Sequence, residues 1–226
     1  MTDLRIKYRP ESISDVWGND GVKLIWDGFK RKSCFPKATV LHGLHGTAKT
    51  TLGRIFAKDI TANNTPMGNG LFPNIYEIDA AQYDTLTWRY IQSFDLYARE
   101  PIAIFIDETQ RLMERVQDAF LKIIEDSPHL YFIFATTEIE RIDDGILSRS
   151  TKFSLRNPAS FILYAELMKI AQKENIVITE EALKYLIEVS RFNPRECLGN
   201  LNTMLGQEGV IDARVIKILL ENSIGY

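Results

Sequence analysis

The strongest constraint on the fold is a glycine-containing loop between an apolar run and a helical pattern. The loop is Gly43-Leu-His-Gly-Thr-Ala-Lys-Thr; the β-branched run Ala38–His42 precedes it, and a helical pattern extends from Lys49 through Ile60. The loop matches the phosphate-loop pattern GxxxxGK[ST], except that Ala48 replaces the last glycine. We expect a strand, a phosphate-binding loop and a helix, in this order.

The residue types in this loop suit the binding of a nucleoside triphosphate. Backbone N–H groups of the loop and of the first helical turn point inward and bind phosphate oxygens. The Lys49 ammonium adds a cation at the β- and γ-phosphates, and the Thr50 hydroxyl is a ligand for Mg²⁺. The alternative is a glycine-rich turn without a ligand, and the strand–helix context argues against it. The residues expected to bind ATP here are Gly43, Gly46, Thr47, Ala48, Lys49, Thr50 and Thr51.

Ala48 is the one departure from the phosphate-loop pattern. A methyl group at this position is harmful only if the residue has a positive φ or touches the phosphate. Because the residue before the lysine lies where the chain enters the helix, we expect alanine to be tolerated.

Two carboxylates follow another apolar run. Ile102–Ile106 has the composition of a buried parallel strand, and Asp107 and Glu108 come directly after it. Ligands bind at the carboxyl ends of parallel strands. Asp107 can therefore hold Mg²⁺, directly or through water, and Glu108 can orient the attacking water; the alternative is a solvated acidic turn. Thr137 ends the next apolar run, where its hydroxyl can touch the γ-phosphate or the water, although threonine is common at strand ends.

The pattern along the chain predicts an α/β domain followed by a helical domain. Apolar runs alternate with helical patterns up to Leu155, which indicates a parallel sheet with helices on both faces; one of these helical patterns is the amphipathic segment Gln110–Glu125. Beyond Arg156–Pro158 only helical patterns follow, at 159–173, 179–190, 193–205 and 212–222. The sequence predicts a nucleotide-binding domain over residues 1–157 and a small all-helical domain over 158–226.

Composition and charge exclude several classes of protein. No apolar run approaches the roughly 20 residues of a membrane helix, and Met1–Pro10 lacks a signal-peptide segment. The net charge is −3, whereas free-standing DNA-binding domains are usually basic, so contact with DNA would use a local patch. Cys34 and Cys197 lack the spacing of metal ligands, and we expect both to be buried apolar residues in a reducing cytosol.

Seven further short motifs follow one another along nearly the whole chain, and together they are more specific than the phosphate loop alone. They are Lys7-Tyr-Arg-Pro-Glu-Ser, Val16-Trp-Gly-Asn, Ile78-Asp-Ala-Ala, Ile106-Asp-Glu-Thr-Gln-Arg-Leu, Ala119-Phe-Leu-Lys-Ile-Ile-Glu-Asp, Phe132-Ile-Phe-Ala-Thr-Thr-Glu and Ile146-Leu-Ser-Arg-Ser-Thr-Lys-Phe. Together they resemble the AAA+ sliding-clamp-loader ATPases, in particular the bacterial DNA polymerase III gamma/tau motor subunit. The resemblance implies a P-loop NTPase fold with a helical lid, ATP and Mg²⁺ as cofactors, and ATP-driven loading of a DNA sliding clamp at primer–template junctions.

The resemblance also assigns roles to single residues. Arg149 lies in Ser-Arg-Ser, which matches the family's Ser-Arg-Cys motif, whose arginine acts in trans on ATP bound by the neighbouring subunit. Arg195 matches the lid arginine called sensor 2, and Thr137 matches the hydroxyl called sensor 1. The segment around Arg9 and Val16 is expected near the adenine. Without the resemblance, the residues alone favour an ordinary surface arginine at position 149.

The chain departs from the family in two places. Thr61–Asn74 stands where the bacterial motor subunit carries a four-cysteine zinc module, so no zinc is expected. The chain stops at Tyr226, without a collar domain, which implies a truncated or compact form and leaves homo- and hetero-oligomers open. The implied partners are the sliding clamp, other loader subunits and primer–template DNA, in the bacterial cytosol, with no membrane and with a phage origin also open.

Contacts with the clamp and with DNA are further expectations, and two other functions stay open. The chain is either a motor, a non-hydrolysing scaffold or regulatory subunit of such an assembly, or another AAA+ motor such as a helicase loader. Candidate clamp-facing residues, alternatively core, are Trp88, Tyr90, Phe94 and Tyr97; candidate DNA contacts, alternatively solvated, are Arg89, Arg111 and Arg115.

Overall fold

The computed structural model describes residues 3–62, 74–82, 91, 93–94, 98–207 and 209–223. By its contacts the chain divides into residues 20–155, called the sheet unit below, and residues 1–19 with 156–226, called the helical unit. Within the described residues, no helix combines the length and the apolar character needed to cross a membrane.

The helices and strands follow the predicted order. The described part of the sheet unit has helices α2 (Asp20–Lys32), α3 (Lys49–Ile60), α4 (Glu114–Asp126) and α5 (Asp144–Ser148), and strands β1 (Ala38–His42), β2 (Ile75–Asp79), β3 (Ile102–Asp107), β4 (Leu130–Thr136) and β5 (Ser150–Ser154). The described part of the helical unit has α1 (Leu4–Lys7), α6 (Ser160–Lys173), α7 (Glu180–Val189), α8 (Pro194–Asn202) and α9 (Ala213–Ser223).

The strands form one parallel sheet in the order β2-β3-β4-β1-β5, which confirms the predicted α/β class. Strand β4 lies between β3 and β1, so the carboxyl ends of these three strands are neighbours at one edge. The register places His42 opposite Thr136 and Ile106 opposite Phe134. Strand order therefore brings together the three segments that the sequence assigned to the nucleotide.

Helices cover both faces of this sheet. On one face, Phe132 and Phe134 of β4 pack against Phe120 of α4, and all three are at most 1% exposed. On the other, Trp26 of α2 stacks on Phe56 of α3 with ring centroids 3.5 Å apart. Burying an aromatic side chain of this size stabilises the fold by roughly 1.5–3 kcal/mol. The core thus fixes the strands whose ends build the site.

The helical unit has a core of its own, which includes the start of the chain. Leu4 is fully buried with Leu163, Leu186 and Leu201, and its backbone amide donates to Oδ1 of Asn202 at 3.0 Å. The sequence assigned these first residues to the nucleotide-binding domain, because no local pattern reveals a partner 198 residues away. The domain bounds 1–157 and 158–226 remain a prediction.

One predicted helix begins later than expected. The apolar periodicity predicted a helix from Gln110, but residues Thr109–Arg111 form a short 3-10 helix and α4 begins at Glu114. Leu112 and Met113 between them are extended, with ψ of 135° and 146°. The extended residues Leu112 and Met113 thus separate the 3-10 helix, which follows β3, from α4.

Two expectations about burial are decided by the structure. Cys197 is buried, and burial raises the pKa of its thiol to about 11, but Cys34 is exposed beyond the end of α2, so the expectation was wrong for Cys34. Phe94 is 5% exposed and stacks on Tyr76 at 4.1 Å, so it belongs to the core and not to a clamp-facing surface. The other candidates on this segment, Trp88, Arg89, Tyr90 and Tyr97, lie outside the described residues.

Candidate active site

The phosphate loop connects β1 to α3 as predicted. Gly43 and Gly46 have φ of 155° and 80°, a region in which side-chain-bearing residues are strained. A Cβ atom on Gly43 would lie 2.4 Å from the carbonyl oxygen of Leu155, so only glycine fits there without a shift of the backbone. The loop conformation therefore depends on these two glycines.

Alanine in place of glycine at the last loop position has a structural cost that the sequence did not reveal. Ala48 has φ 69° and ψ 22°, which is the left-handed conformation, and it is the N-cap of α3. The expectation that Ala48 enters the helix without strain is wrong. For a residue with a Cβ atom, this conformation costs roughly 1–2 kcal/mol relative to the right-handed one. The loop is formed despite that strain.

Lys49 is buried at the base of the loop. Its ammonium donates to the carbonyl oxygens of Gly43 and Leu44 at 2.8 and 2.9 Å, and the residue is 7% exposed. Burial lowers the pKa of this ammonium, against the opposing effect of the Glu108 and Asp107 charges. The Lys49 ammonium therefore lies against the loop backbone, where its charge is poorly solvated and a phosphate would be a strong hydrogen-bond partner.

A hydroxyl and a carboxylate meet where β3 ends beside α3. Oγ1 of Thr50 donates to Oδ2 of Asp107 at 2.6 Å, and Oδ1 of the same carboxylate accepts from the Glu108 amide at 3.0 Å. Hydroxyl and carboxylate oxygens are the ligands that Mg²⁺ prefers. The donor set therefore fits a magnesium ion, as the sequence predicted for these two residues.

Glu108 is held in an unusual backbone conformation. Its φ is 52°, in the left-handed region, and such strained residues concentrate at functional sites. Its Oε2 accepts a hydrogen bond of 2.6 Å from Nε2 of Gln110. The same Nε2 also donates to Oγ1 of Thr137 at 3.1 Å. The carboxylate after β3 and the hydroxyl after β4 are therefore joined through one amide.

Gln110 is the site residue that sequence reasoning missed. It is 9% exposed, and its Oε1 accepts from the buried Thr136 hydroxyl at 2.9 Å. In the sequence it was counted as part of an amphipathic helix, and a glutamine two residues after a carboxylate carries no signal of its own. The available signal was its place directly after the strand-end carboxylates.

Arg149 lies on the surface at the end of α5. Its Nε donates to Oε1 of Glu125 at 2.6 Å, and its Nη1 donates to the carbonyl oxygen of Gly145 at 3.0 Å. The predicted action in trans concerns a neighbouring subunit and stays a prediction.

Three predicted nucleotide contacts belong to the helical unit. Arg9 is exposed and Val16 is 3% exposed, while Arg195 is exposed in the first turn of α8, where Asn193 caps the helix by accepting from the Arg195 amide at 3.0 Å. Their expected roles at the adenine and the γ-phosphate remain predictions.

Comparison with known proteins identifies the family of this fold. Residues 39–157 match the model of the ATPase family associated with various cellular activities (AAA). The chain is 30% identical to the DNA polymerase III subunit gamma/tau of Mycoplasma pneumoniae, over 87% of this chain and 31% of that protein. It is 28% identical to the DNA polymerase III subunit gamma of Buchnera aphidicola, over 97% of this chain and 66% of that protein. The chain thus spans about a third to two thirds of the length of these relatives.

The fold also resembles that of a solved motor protein. The Holliday junction branch migration motor RuvB of Thermotoga maritima aligns with a TM-score of 0.78 at 19% sequence identity, over 95% of this chain and 72% of that one. At this identity the likeness concerns the fold alone, and it agrees with the P-loop NTPase architecture expected from the sequence.

Proposed function

Because the chain belongs to the AAA family of ATPases, we propose that it binds Mg²⁺–ATP on the loop Gly43–Thr51 and hydrolyses it to drive the loading of a DNA sliding clamp. The observation that carries the proposal is the strand-end cluster in which Thr50 contacts Asp107 while Glu108 is joined to Thr137. A turn that only stabilised the fold would not need two carboxylates beside a buried lysine.

The chemistry assigns a task to each of these residues. Backbone amides of the loop and the Lys49 ammonium bind the β- and γ-phosphates. Thr50 and Asp107 would hold Mg²⁺, which neutralises phosphate charge when bound. Glu108 orients the attacking water and accepts its proton, and Thr137 donates its hydroxyl to the γ-phosphate or to the water.

Residues beyond this cluster would complete the site. We assign Arg149 to the ATP of a neighbouring subunit, where a guanidinium offsets the charge that develops on the γ-phosphate. We assign Arg195 to the γ-phosphate in its own chain and the segment around Arg9 and Val16 to the adenine, with the small helical domain over residues 158–226 acting as a lid. Each assignment rests on the position of the residue in a motif of the family.

The similarity to DNA polymerase III gamma and gamma/tau subunits supports clamp loading. The chain matches only part of the length of each of these relatives. We propose that the partners are a sliding clamp, other copies or other subunits of a loader, and primer–template DNA, in the bacterial cytosol. The exposed Arg111 and Arg115 are candidate phosphate contacts on the sheet unit.

The first experiment measures the binding and the hydrolysis of ATP by the purified chain. We expect Lys49→Ala to abolish binding, and Glu108→Gln to bind ATP normally but to lower turnover by about 10²–10⁴-fold. The exposed residues Lys58 and Glu140 provide controls in Lys58→Ala and Glu140→Gln, which should behave like the wild type. Undiminished turnover in Glu108→Gln would contradict the role assigned to this carboxylate.

The second experiment adds a candidate clamp and primed DNA. We expect both to stimulate the ATPase, and we expect the clamp to become DNA-bound only when ATP is present. A wild type that binds ATP without hydrolysing it under these conditions would favour a scaffold subunit, which the strained Ala48 makes worth testing. Stimulation by a replicative helicase and not by a clamp would favour a helicase loader.

A further inference from the structure

We propose that Gln110 is the positioning residue of this site: its amide orients the Glu108 carboxylate and the Thr137 hydroxyl together. The proposal rests on the ATPase function proposed above. The carboxylate that takes the proton and the hydroxyl that meets the phosphate lie after different strands, and the Gln110 amide group bonds to both.

The orientation of the amide follows from its neighbours. Oγ1 of Thr136 accepts from the Glu138 amide at 3.0 Å, so its own hydrogen is available to the oxygen of Gln110 at 2.9 Å or to the carbonyl of Glu138 at 3.1 Å. If Oε1 and Nε2 of Gln110 exchanged places, Oε1 would face the carboxylate of Glu108, which has no hydrogen to donate when ionised. The nitrogen of Gln110 must therefore face Glu108.

This arrangement restricts Glu108. Oε2 accepts from Gln110 at 2.6 Å, a short distance that is typical of a hydrogen bond to a charged acceptor. With Oε2 occupied in this way, Oε1 is the oxygen better placed to accept the proton of the attacking water. The buried amide thus fixes the direction of a carboxylate whose side chain could otherwise rotate.

The same amide restricts Thr137. A hydroxyl has one hydrogen, and here its oxygen accepts from Gln110 at 3.1 Å. The hydrogen of Thr137 is thereby directed away from Gln110 and is free to be donated to a phosphate oxygen. Donation by a hydroxyl strengthens its acceptance of another hydrogen bond, so contact between Thr137 and phosphate would tighten the bond to the amide. Gln110 thereby couples the detection of the phosphate to the orientation of Glu108.

The decisive variant is Gln110→Leu, which removes both N–H donors at similar volume. We expect kcat to fall by about 10- to 100-fold while the affinity for ATP changes less than about threefold, because the phosphate loop is intact. Gln110→His should recover part of the loss, because an imidazole N–H is a donor of similar reach. Gln172→Leu, at an exposed glutamine on α6, controls for the substitution itself and should match the wild type.

The split between kcat and the affinity for ATP separates positioning from simple packing. A loosened core would lower Tm and weaken the binding of ATP together with turnover, whereas loss of the Gln110 amide should lower kcat with Tm and ATP affinity little changed. Recovery of kcat in Gln110→His, which restores an N–H donor but not the shape of glutamine, would not follow from a role in packing alone.

The outcomes distinguish this proposal from the function it rests on. If the wild type hydrolyses ATP but Gln110→Leu retains kcat within twofold, the positioning role is wrong and the ATPase stands. If the wild type neither binds nor hydrolyses ATP, both are wrong. If Gln110→Leu does not fold, as judged by its thermal unfolding, Gln110→Met, which also lacks an N–H donor at similar length, decides by the same criteria.

Discussion

The guanidinium of Arg149 is held by the carboxylate of Glu125 in its own chain, with Nε donating to Oε1 at 2.6 Å and Nη2 pairing with the same oxygen. Their side chains are 41% and 52% exposed, and an ion pair this exposed contributes at most about 1 kcal/mol to stability. The pair therefore sets the direction of Arg149 at the surface more than it stabilises the fold, and it leaves the arginine accessible to a neighbouring chain.

The action of Arg149 in trans predicts complementation between two defective chains. Arg149→Ala should lower turnover by about 10³-fold or more because the γ-phosphate loses its guanidinium, and Lys49→Ala should be inactive because it cannot bind ATP. When the two variants are mixed, the Lys49→Ala chain supplies its Arg149 to the ATP site of the Arg149→Ala chain. The ATPase rate of the mixture should therefore exceed that of either variant alone.

Arg31→Ala, which removes an exposed arginine at the end of α2, controls for the loss of a surface charge and should leave turnover unchanged. Native mass measurement must show that the two variants assemble together. An inactive mixture of assembled variants would argue that Arg149 does not act across subunits.

The left-handed conformation of Ala48 predicts that Ala48→Gly stabilises the protein. Glycine adopts a φ of 69° without the Cβ penalty, so we expect a gain of about 1 kcal/mol, which raises Tm by about 2–4 °C in a chain of this size. Ala119→Gly in α4 is the matched control and should lower stability by roughly 0.5–1 kcal/mol, since its conformation is helical. A lower Tm for Ala48→Gly would show that the methyl group makes a favourable contact that outweighs the strain.

Two helical glycines should respond in opposite directions to replacement by alanine. A Cβ atom on Gly53 of α3 would lie 2.3 Å from Cε2 of Phe105, so Gly53→Ala should destabilise by about 1–3 kcal/mol as helix and strand are forced apart. On Gly28 of α2 a Cβ meets nothing within 4 Å, so Gly28→Ala should stabilise by about 0.5–1 kcal/mol. Urea unfolding of each variant measures the change in its free energy of unfolding. Equal changes in Gly53→Ala and Gly28→Ala would refute the predicted close packing of α3 on β3.

The lowered pKa of His42 predicts that the protein loses stability in mild acid. Burial, with the nearby Lys152 charge, lowers the pKa of its imidazole below the usual 6.5, so between the two values the unfolded chain binds more protons than the folded chain. The free energy of unfolding therefore falls as the pH falls through this range. His42→Gln should therefore narrow the difference in the free energy of unfolding between about pH 7 and about pH 5. Unfolding of the wild type and of His42→Gln at both pH values measures this difference, and an unchanged difference in His42→Gln would contradict the prediction.

Local patterns were sufficient to predict the strands that carry the site. The apolar runs at Ala38–His42 and Ile102–Ile106 became β1 and most of β3, because continuous β-branched and aromatic runs suit strands buried on both faces. The pairing of a phosphate loop with strand-end carboxylates predicted that Thr50 and Asp107 would meet, since parallel strands present their carboxyl ends at one edge.

Tertiary structure alone decided the features that depend on distant partners. Gln110 became part of the site because the end of β4 brings Thr136 and Thr137 to it, and no local pattern contains that pairing. The φ of Ala48 is set by how the loop must turn to start α3, and the burial of Leu4 by helices far along the chain. Sequence specifies local conformation through short-range periodicity, whereas a hydrogen-bond network or a strained backbone angle is set only when remote segments pack together.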